Sequence, residues 1–353
     1  MQLNMIQAQR SNVQTLLQKV KENGPISKRE LQKITGYSWG FISQAITKLV
    51  ELGYIEAEEE KESIGVGRKA EKFSVKKTMN FYLGVDLNER EVVVVITDMS
   101  GHVLEEWEHT WTVFTKDHVI EKMFQIIDSC IEKYGDKNIM GLGFSVQGSV
   151  DVSNGVSMRI ARISDWIEVP LKKMAEERYE IDVMVIHDPD CLLKCESCFG
   201  VLKDDDTLDV LEISFNYGLG VGMSVMINGQ IYVGHNGRAG EIGHTSLGIH
   251  EDGTIERLGE HGRKKVGEID TQVLCEHLAR SIVTASALFD PSVVVLYTVE
   301  CGYKKELFQA IQRRFKEIGY DKVIGLRLSF LPREAKAVGA ALVMIDRTID
   351  EVI

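Results

Sequence analysis

Apolar and polar positions change period several times along the chain, and those changes divide it into a short head and a long body. In NVQTLLQKV, Val13, Leu16, Leu17 and Val20 fall at i, i+3, i+4 and i+7, one apolar stripe of a helix. Asn23-Gly24-Pro25 stops that helix. Ser27-Lys28-Arg29-Glu30 then reads as a capping box, in which the Ser27 hydroxyl and the Glu30 carboxylate satisfy free N–H groups at a new helix start. That second helix, SKRELQKIT, ends at Gly36. A third, from about Ser38, is expected to bury Ile42, Ile46, Leu49 and Val50 and to turn Gly40, Gln44, Thr47 and Lys48 outward, with Ser43 on the flank. Tyr54-Ile55-Glu56-Ala57 and Lys72-Phe73-Ser74-Val75 read as two strands around the loop EEEKESIGVGRKAE.

Beyond residue 78 the pattern turns to strands. YLGVDL and VVVVITD are joined by Asn88-Glu89-Arg90 and followed by VLEEWEHTW, a helix HVIEKMFQIIDSCIEKYG and a strand IMGLGFSV. The second half starts again with strands at Leu208–Ser214 and Gly222–Ile227 around a glycine turn. A repeated βββ-α-β plan predicts a two-lobed α/β body with a cleft.

Composition fits this division. At 353 residues and 44% hydrophobic content the chain is long enough for two or three domains with a sizeable core. The net charge of −12 is uneven: residues 1–77 hold 13 basic against 9 acidic residues, and the rest 28 against 44. A basic head on an acidic body suggests that only the head meets a polyanion. The longest apolar stretch, IVTASALFDPSVVVLYTV, is broken by Asp290-Pro291, so no membrane span is expected. The N-terminus lacks a secretion signal, and cysteines 130, 191, 195, 198, 275 and 301 form no paired framework, which together point to the cytoplasm.

A short helix, a tight turn and a longer helix with a polar outer face make a helix-turn-helix, and the two strands add a wing. Double-stranded DNA is the expected partner. Ser38, Trp39, Gly40, Ser43, Gln44, Thr47 and Lys48 would face the major groove, where Gln44 suits adenine and Thr47 a thymine methyl. Arg68 and Lys69 at the loop tip suit phosphate or the minor groove. The glutamates of EEEKE speak for the other reading, a three-helix interaction module without DNA.

In the body four segments would line the cleft: GFSVQGSVD with Gln147, the end of VMVIHDPDCLL with His187, Asp188 and Asp190, the glycine turn NYGLGVG, and GRAGEIGH with Glu241 and His244. GHNGRAGEIGHT, GFSVQGSVD, DWIEVPL and AVGAAL, in this order behind a winged helix, resemble the motifs of the ROK family of sugar-responsive repressors and sugar kinases. The likeness covers essentially the whole chain. It implies an actin/hexokinase/Hsp70-like body behind the winged helix-turn-helix: a DNA-binding domain at 1–77 and a sugar-binding body at 78–353. The small lobe would take about 78–185 with a C-terminal helix at about 333–353, and the large lobe about 186–332.

The resemblance also shows what is missing. Where the family's kinases carry D-x-G-G-T for ATP phosphates, this chain reads Asp86-Leu87-Asn88-Glu89-Arg90, without either glycine. Leu296 and Tyr297 stand where the family has a glycine pair at the adenosine. No ATP is expected. Asp188 falls at the family's catalytic base, where it serves as a sugar hydrogen-bond partner or simply caps the following helix. Glu241 and His244 fall at sugar-contacting positions, and in the family the histidine also binds zinc together with three cysteines. The window Thr254–Arg263 has no cysteine, so no zinc is expected; recruitment of a metal by Glu256, Glu260, His261 and His244 follows no standard spacing. Glu268 and Asp270 are weaker candidates for a further sugar-contacting carboxylate. Arg162 stands at a sugar-facing asparagine position, where it suits an acidic or phosphorylated sugar unless it points to solvent. Cys191, Cys195 and Cys198, on one helical face, read as small packing residues rather than metal ligands.

The expected function is therefore a DNA-binding transcriptional regulator, a repressor, of carbohydrate uptake and metabolism genes. It would bind a pseudo-palindromic operator as a homodimer or higher oligomer and respond to a sugar or phosphosugar at Gln147, Arg162, His187, Asp188, Glu241 and His244. A residual ATP-dependent sugar kinase and a ligand-independent DNA-binding scaffold are the alternatives.

Overall fold

A computed structural model describes residues 13, 15–17, 19–51, 53–58, 70–76, 80–134, 138–203, 209–216, 220–249, 252, 254–262, 270–298 and 304–352. Arg68, Lys69, Glu268 and most of the glycine turn 217–219 lie outside them.

The head follows the sequence pattern closely. Val13, Leu16, Leu17 and Val20 are all buried on the first helix. Strand β1 (Ile26–Ser27) leads into helix α1 (Lys28–Thr35), then helix α2 (Trp39–Glu51) and strands β2 (Ile55–Ala57) and β3 (Lys72–Val75). The capping box is formed: the Ser27 amide donates to Glu30 Oε2 at 2.8 Å, and the Glu30 amide donates to Ser27 Oγ at 3.3 Å. On α2, Ile42, Ala45, Ile46 and Leu49 are buried. Val50 is not: it is 39% exposed, because it sits one step around the helix from Leu49 and leaves the buried stripe. The sheet has the order β1-β3-β2, with β1 a third strand too short to leave a periodic signal.

The body contains two five-stranded sheets of matching plan. In the first, β4 (Phe81–Leu87), β5 (Glu91–Thr97) and β6 (Val103–Thr110) form an antiparallel meander. Parallel strands β7 (Ile139–Val146) and β10 (Asp182–His187) extend the β4 side, giving β10-β7-β4-β5-β6. A small hairpin, β8 (Ser149–Asp151) and β9 (Val156–Arg159), lies between them in sequence. The second sheet repeats the arrangement with β11 (Val210–Asn216), β12 (Gly220–Ile227) and β13 (Gln230–Ile231), extended by β16 (Val293–Tyr297) and β17 (Gly325–Leu328). The hairpin β14 (Ser246–Ile249) and β15 (Ile255–Arg257) and the short helix α6 (Leu258–Gly262) belong to the insertion that carries the glycine-rich segment. Helices α3 (Lys116–Tyr134) and α4 (Leu171–Tyr179) accompany the first sheet, and α7 (Thr271–Phe289) and α8 (Lys304–Glu317) the second.

Two helices are exchanged between the sheets. Helix α5 (Asp188–Phe199) follows β10 of the first sheet yet packs on β11 and β12 of the second. Helix α9 (Ala335–Val352) comes after β17 of the second sheet and lies on β4 and β7 of the first. The two pack against each other. Contact is backbone to backbone: a Cβ on Gly339 would lie 1.8 Å from the Cys191 carbonyl oxygen, and one on Gly84 1.9 Å from that of Ala337. Any side chain at either position would push the helix off its bed. The apolar core around these helices runs without a break into the head, joining Leu16, Val20 and Ile42 with Tyr82, Leu192, Cys195 and Ile345. Cys195 is buried there, and Cys191 in a small cluster with Ile186 and Ala340, both as apolar residues.

Candidate functional site

The carboxyl ends of the parallel strands converge between the two sheets, as expected of a ligand site in an open α/β fold. β4, β7, β10, β11 and β16 end there and bound a cleft of about 760 Å³. Asp86, Gln147, His187, Asp188, Ser214 and Tyr297 line it from the strand ends. Glu241 and His244 line it from the glycine-rich insertion.

Asp188 is the first residue of α5, where a carboxylate is favoured by the positive helix end. His187 Nε2 lies 3.8 Å from Asp188 Oδ1. The other carboxylate oxygen of Asp188 accepts a hydrogen bond from Lys336 Nζ in the first turn of α9, and both side chains are buried. A lysine at a helix N-terminus opposes the helix dipole, so this position needs its anionic partners. Burial alone would lower the Lys336 pKa, but Asp188 and Asp86 outweigh it and hold the ammonium above the usual lysine range. Asp86 is buried and accepts from Ser145 Oγ at 2.8 Å and Asn88 Nδ2 at 3.2 Å. Burial pushes its carboxyl above the ordinary value, against the pull of Lys336. Asp190 points away from the cleft lining and accepts from Ser224 Oγ, fastening α5 to β12.

The loop after β4 is closed on itself. The Glu89 amide donates to Gln147 Oε1 at 2.9 Å, and the Arg90 and Glu91 amides both donate to Asn88 Oδ1 at 2.9 and 3.2 Å. A phosphate cradle needs such N–H groups directed at the ligand. These three are engaged within the protein, so the loop does not fit a nucleotide phosphate.

Glu241 and His244 sit 3.8 Å apart, with the His244 side chain 71% exposed. Gly240 before them has φ +85°, and a Cβ there would come within 2.1 Å of the Met223 carbonyl oxygen. Only glycine lets the segment lie this close to β12. Among the described residues no group of three or more His, Cys, Asp or Glu is arranged to hold a metal ion. The described cysteines lie in α3, α5 and α7, so the donors beside His244 do not fit a Cys₃His zinc.

Arg162 is a correction. It is exposed and lies outside the cleft lining, its guanidinium 5.3 Å from the Phe114 ring centroid, because the turn after β9 directs it outward. Arg159 and Ala161 of the same segment line the cleft instead. Sequence reading also missed Lys336, whose signal was present: it is the one charge in AKAVGAAL, an otherwise small and apolar helix start.

On the head, Ser38, Trp39, Gly40, Gln44, Thr47 and Lys48 are exposed and Ser43 is partly exposed, so α2 presents one continuous outer face. Trp39 is 48% exposed, an unusual position for a large aromatic ring.

Residues 82–265 match the ROK family, and the chain belongs to it. It is 26% identical over 241 residues to the xylose repressor of Bacillus subtilis, an alignment covering 67% of this chain and 60% of that protein. It is 27% identical over 246 residues to the DNA-binding transcriptional dual regulator NagC of Escherichia coli, covering 68% of this chain and 56% of that one. The chain thus spans less than two thirds of the curated relatives it matches. Among solved structures, a ROK family transcriptional regulator described as a homolog of the E. coli Mlc protein superposes with a TM-score of 0.78 at 18% identity. That superposition covers 98% of this chain and 97% of the other. A ROK glucokinase from Streptomyces griseus, solved with glucose and AMPPNP, gives 0.60 at 18% identity over 74% of this chain and 98% of that one. The regulator's fold extends over head and body, the kinase's over the smaller share.

Proposed function

We propose that the chain is a sugar-responsive transcriptional repressor, with a winged helix-turn-helix head that reads operator DNA and a body that senses its effector without catalysis. The observation that carries this reading is α2. It buries Ile42, Ala45, Ile46 and Leu49 and leaves Trp39, Gly40, Gln44, Thr47 and Lys48 outward, the arrangement a recognition helix needs. The names of two relatives, a xylose repressor and the DNA-binding transcriptional dual regulator NagC, support it. One head offers too few contacts for genomic specificity, so a homodimer or larger homo-oligomer binds a pseudo-palindrome.

The effector is a sugar or sugar derivative, hydrogen-bonded by Asp188, Glu241 and His244 across the cleft. Neither ATP nor zinc takes part: the amides of the loop after β4 are engaged internally, and the described donors beside His244 include no cysteine. Phosphoryl transfer rests on positioning phosphates and metal, which this loop does not do. Lys336 also engages one oxygen of the Asp188 carboxylate, the group that would take a proton from a sugar hydroxyl.

Genomic DNA fragments retained by the purified protein at physiological salt should contain a few symmetric sites beside sugar-uptake or sugar-catabolic genes. Calorimetry with D-xylose, D-glucose and N-acetylglucosamine then tests the body. No DNA enrichment above background, with sugar-dependent ATP consumption that Asp188→Ala abolishes, would replace this reading with a kinase.

A further inference from the structure

The exchanged helices α5 and α9 both run from the cleft to the head. α5 begins at Asp188 in the cleft and ends at Phe199, whose ring centroid lies 5.9 Å from Lys21 Nζ on the first helix of the head. α9 carries Lys336 at its cleft end, and Ile345 and Ile349 near its other end share the buried cluster with Leu16 and Val20. Two ion pairs tie the helices together, Lys336 to Asp188 at the cleft and Lys194 to Asp346 toward the head. Between them Gly339 lies on the Cys191 carbonyl with no side chain intervening. A contact of that kind has no soft side chain to absorb a displacement, so the helices shift together or not at all. Lys21 is half-buried at the head end; desolvation lowers its pKa, Lys194 adds to this, and Cys198, Asp346 and Asp98 oppose it. Its charge therefore depends on how the ends of α5 and α9 are packed.

We propose that the Lys336–Asp188 pair is the contact through which an occupant of the cleft alters the packing of the head, with α5 and α9 carrying the change as one unit. A hydroxyl that donates to Asp188 competes with Lys336 for the same carboxylate, and release of that pin frees the cleft ends of both helices. The assignment rests on the reading of the cleft as an effector site, but its test uses neither sugar nor DNA. A failure to bind either one thus leaves the test readable.

Hydrogen–deuterium exchange of the full chain, with and without Lys336→Met, reads the coupling directly. Amides of residues 15–23 are expected to exchange about fivefold faster or more in the variant, with β11 and β16 unchanged. A change confined to cleft-lining residues, or an equal rise throughout the body, overturns the proposal. Should Lys336→Met fail to fold because Asp188 is left buried without a partner, Asp188→Asn/Lys336→Met removes both charges and is expected to give the same response in the head.

Discussion

Glu212 is fully buried on β11, and neither of its carboxylate oxygens has a hydrogen-bond partner among the described residues. Burial, reinforced by Glu196 and opposed by Lys336, pushes its carboxyl well above the ordinary value. The group is therefore protonated in the folded protein well into the range where the unfolded chain has ionised it, and it weakens the fold at neutral pH. Glu212→Gln keeps the shape and removes the ionisation. Its melting temperature at pH 7.5 is expected to rise by about 2 °C, and differential scanning calorimetry checks this. A fall would mean that the carboxylate makes a contact its geometry does not suggest. At this scale the candidate site was partly legible. Asp188, Glu241 and His244 stand at motif positions whose neighbours are small or strand-forming, and the cleft contains all three. Lys336 was not legible as their partner because 148 residues separate it from Asp188, and only the exchange of helices brings the two together. Arg162 failed for the opposite reason: spacing alone says nothing of which way a turn residue points.

The elements of the head were the most legible part of the chain, because local chemistry decides them. Ser27 and Glu30 cap α1 reciprocally, and the backbone and side chain of Ser27 hold the Glu30 carboxyl below its ordinary value. Ser27→Ala removes one half of that box, at a typical cost of about 1 kcal/mol. Amide exchange through α1 is expected to quicken about fivefold while α2 holds; an unchanged rate would show that packing of Leu31 alone fixes the helix. The strands were harder. β1 has two residues, fewer than one period of alternation needs, and it exists because β3 offers it hydrogen bonds. Val50 shows how a helix stripe misleads at its edge, where apolar character does not guarantee burial.

At the scale of the whole molecule, the repeated βββ-α-β plan was visible in the sequence, but the partner of each sheet was not. A period-two pattern identifies a strand and says nothing of which helix covers it. The balance of charge also emerges only here. Asp86, Asp190, Glu196 and Glu212 are all raised, in each case first by burial. Between the ordinary carboxylate pKa, about 4, and their raised values the folded state holds more protons than the unfolded chain, so stability falls as pH rises through that window. Asp128 and Glu105 are lowered, first by hydrogen bonds from Arg178 and Lys133, and their contribution is lost as pH falls below the ordinary carboxylate value. Those two are surface pairs and contribute little. Lys336, held above the lysine range, does not titrate in either window. Melting temperature is therefore expected to climb as pH falls from 7.5 towards the ordinary carboxylate value, about 4, and to lose only a little below it. A steady decline from pH 7.5 downward would contradict the burial of these four groups.

The exchange of α5 and α9 also sets an order on synthesis. The first sheet leaves the ribosome early, yet the face of β4 and β7 that α9 covers stays bare until residues 335–352 have emerged. Glycines at 84 and 143, where α9 lies against the sheet backbone, leave that face flat beside the ring of Tyr82. Until then the first sheet carries an open apolar surface. The head is in the same position, since its apolar seam is completed by Ile345 and Ile349. A nascent chain of this fold needs α9 to close both the sheet and the head, and until that helix docks both leave apolar surface open.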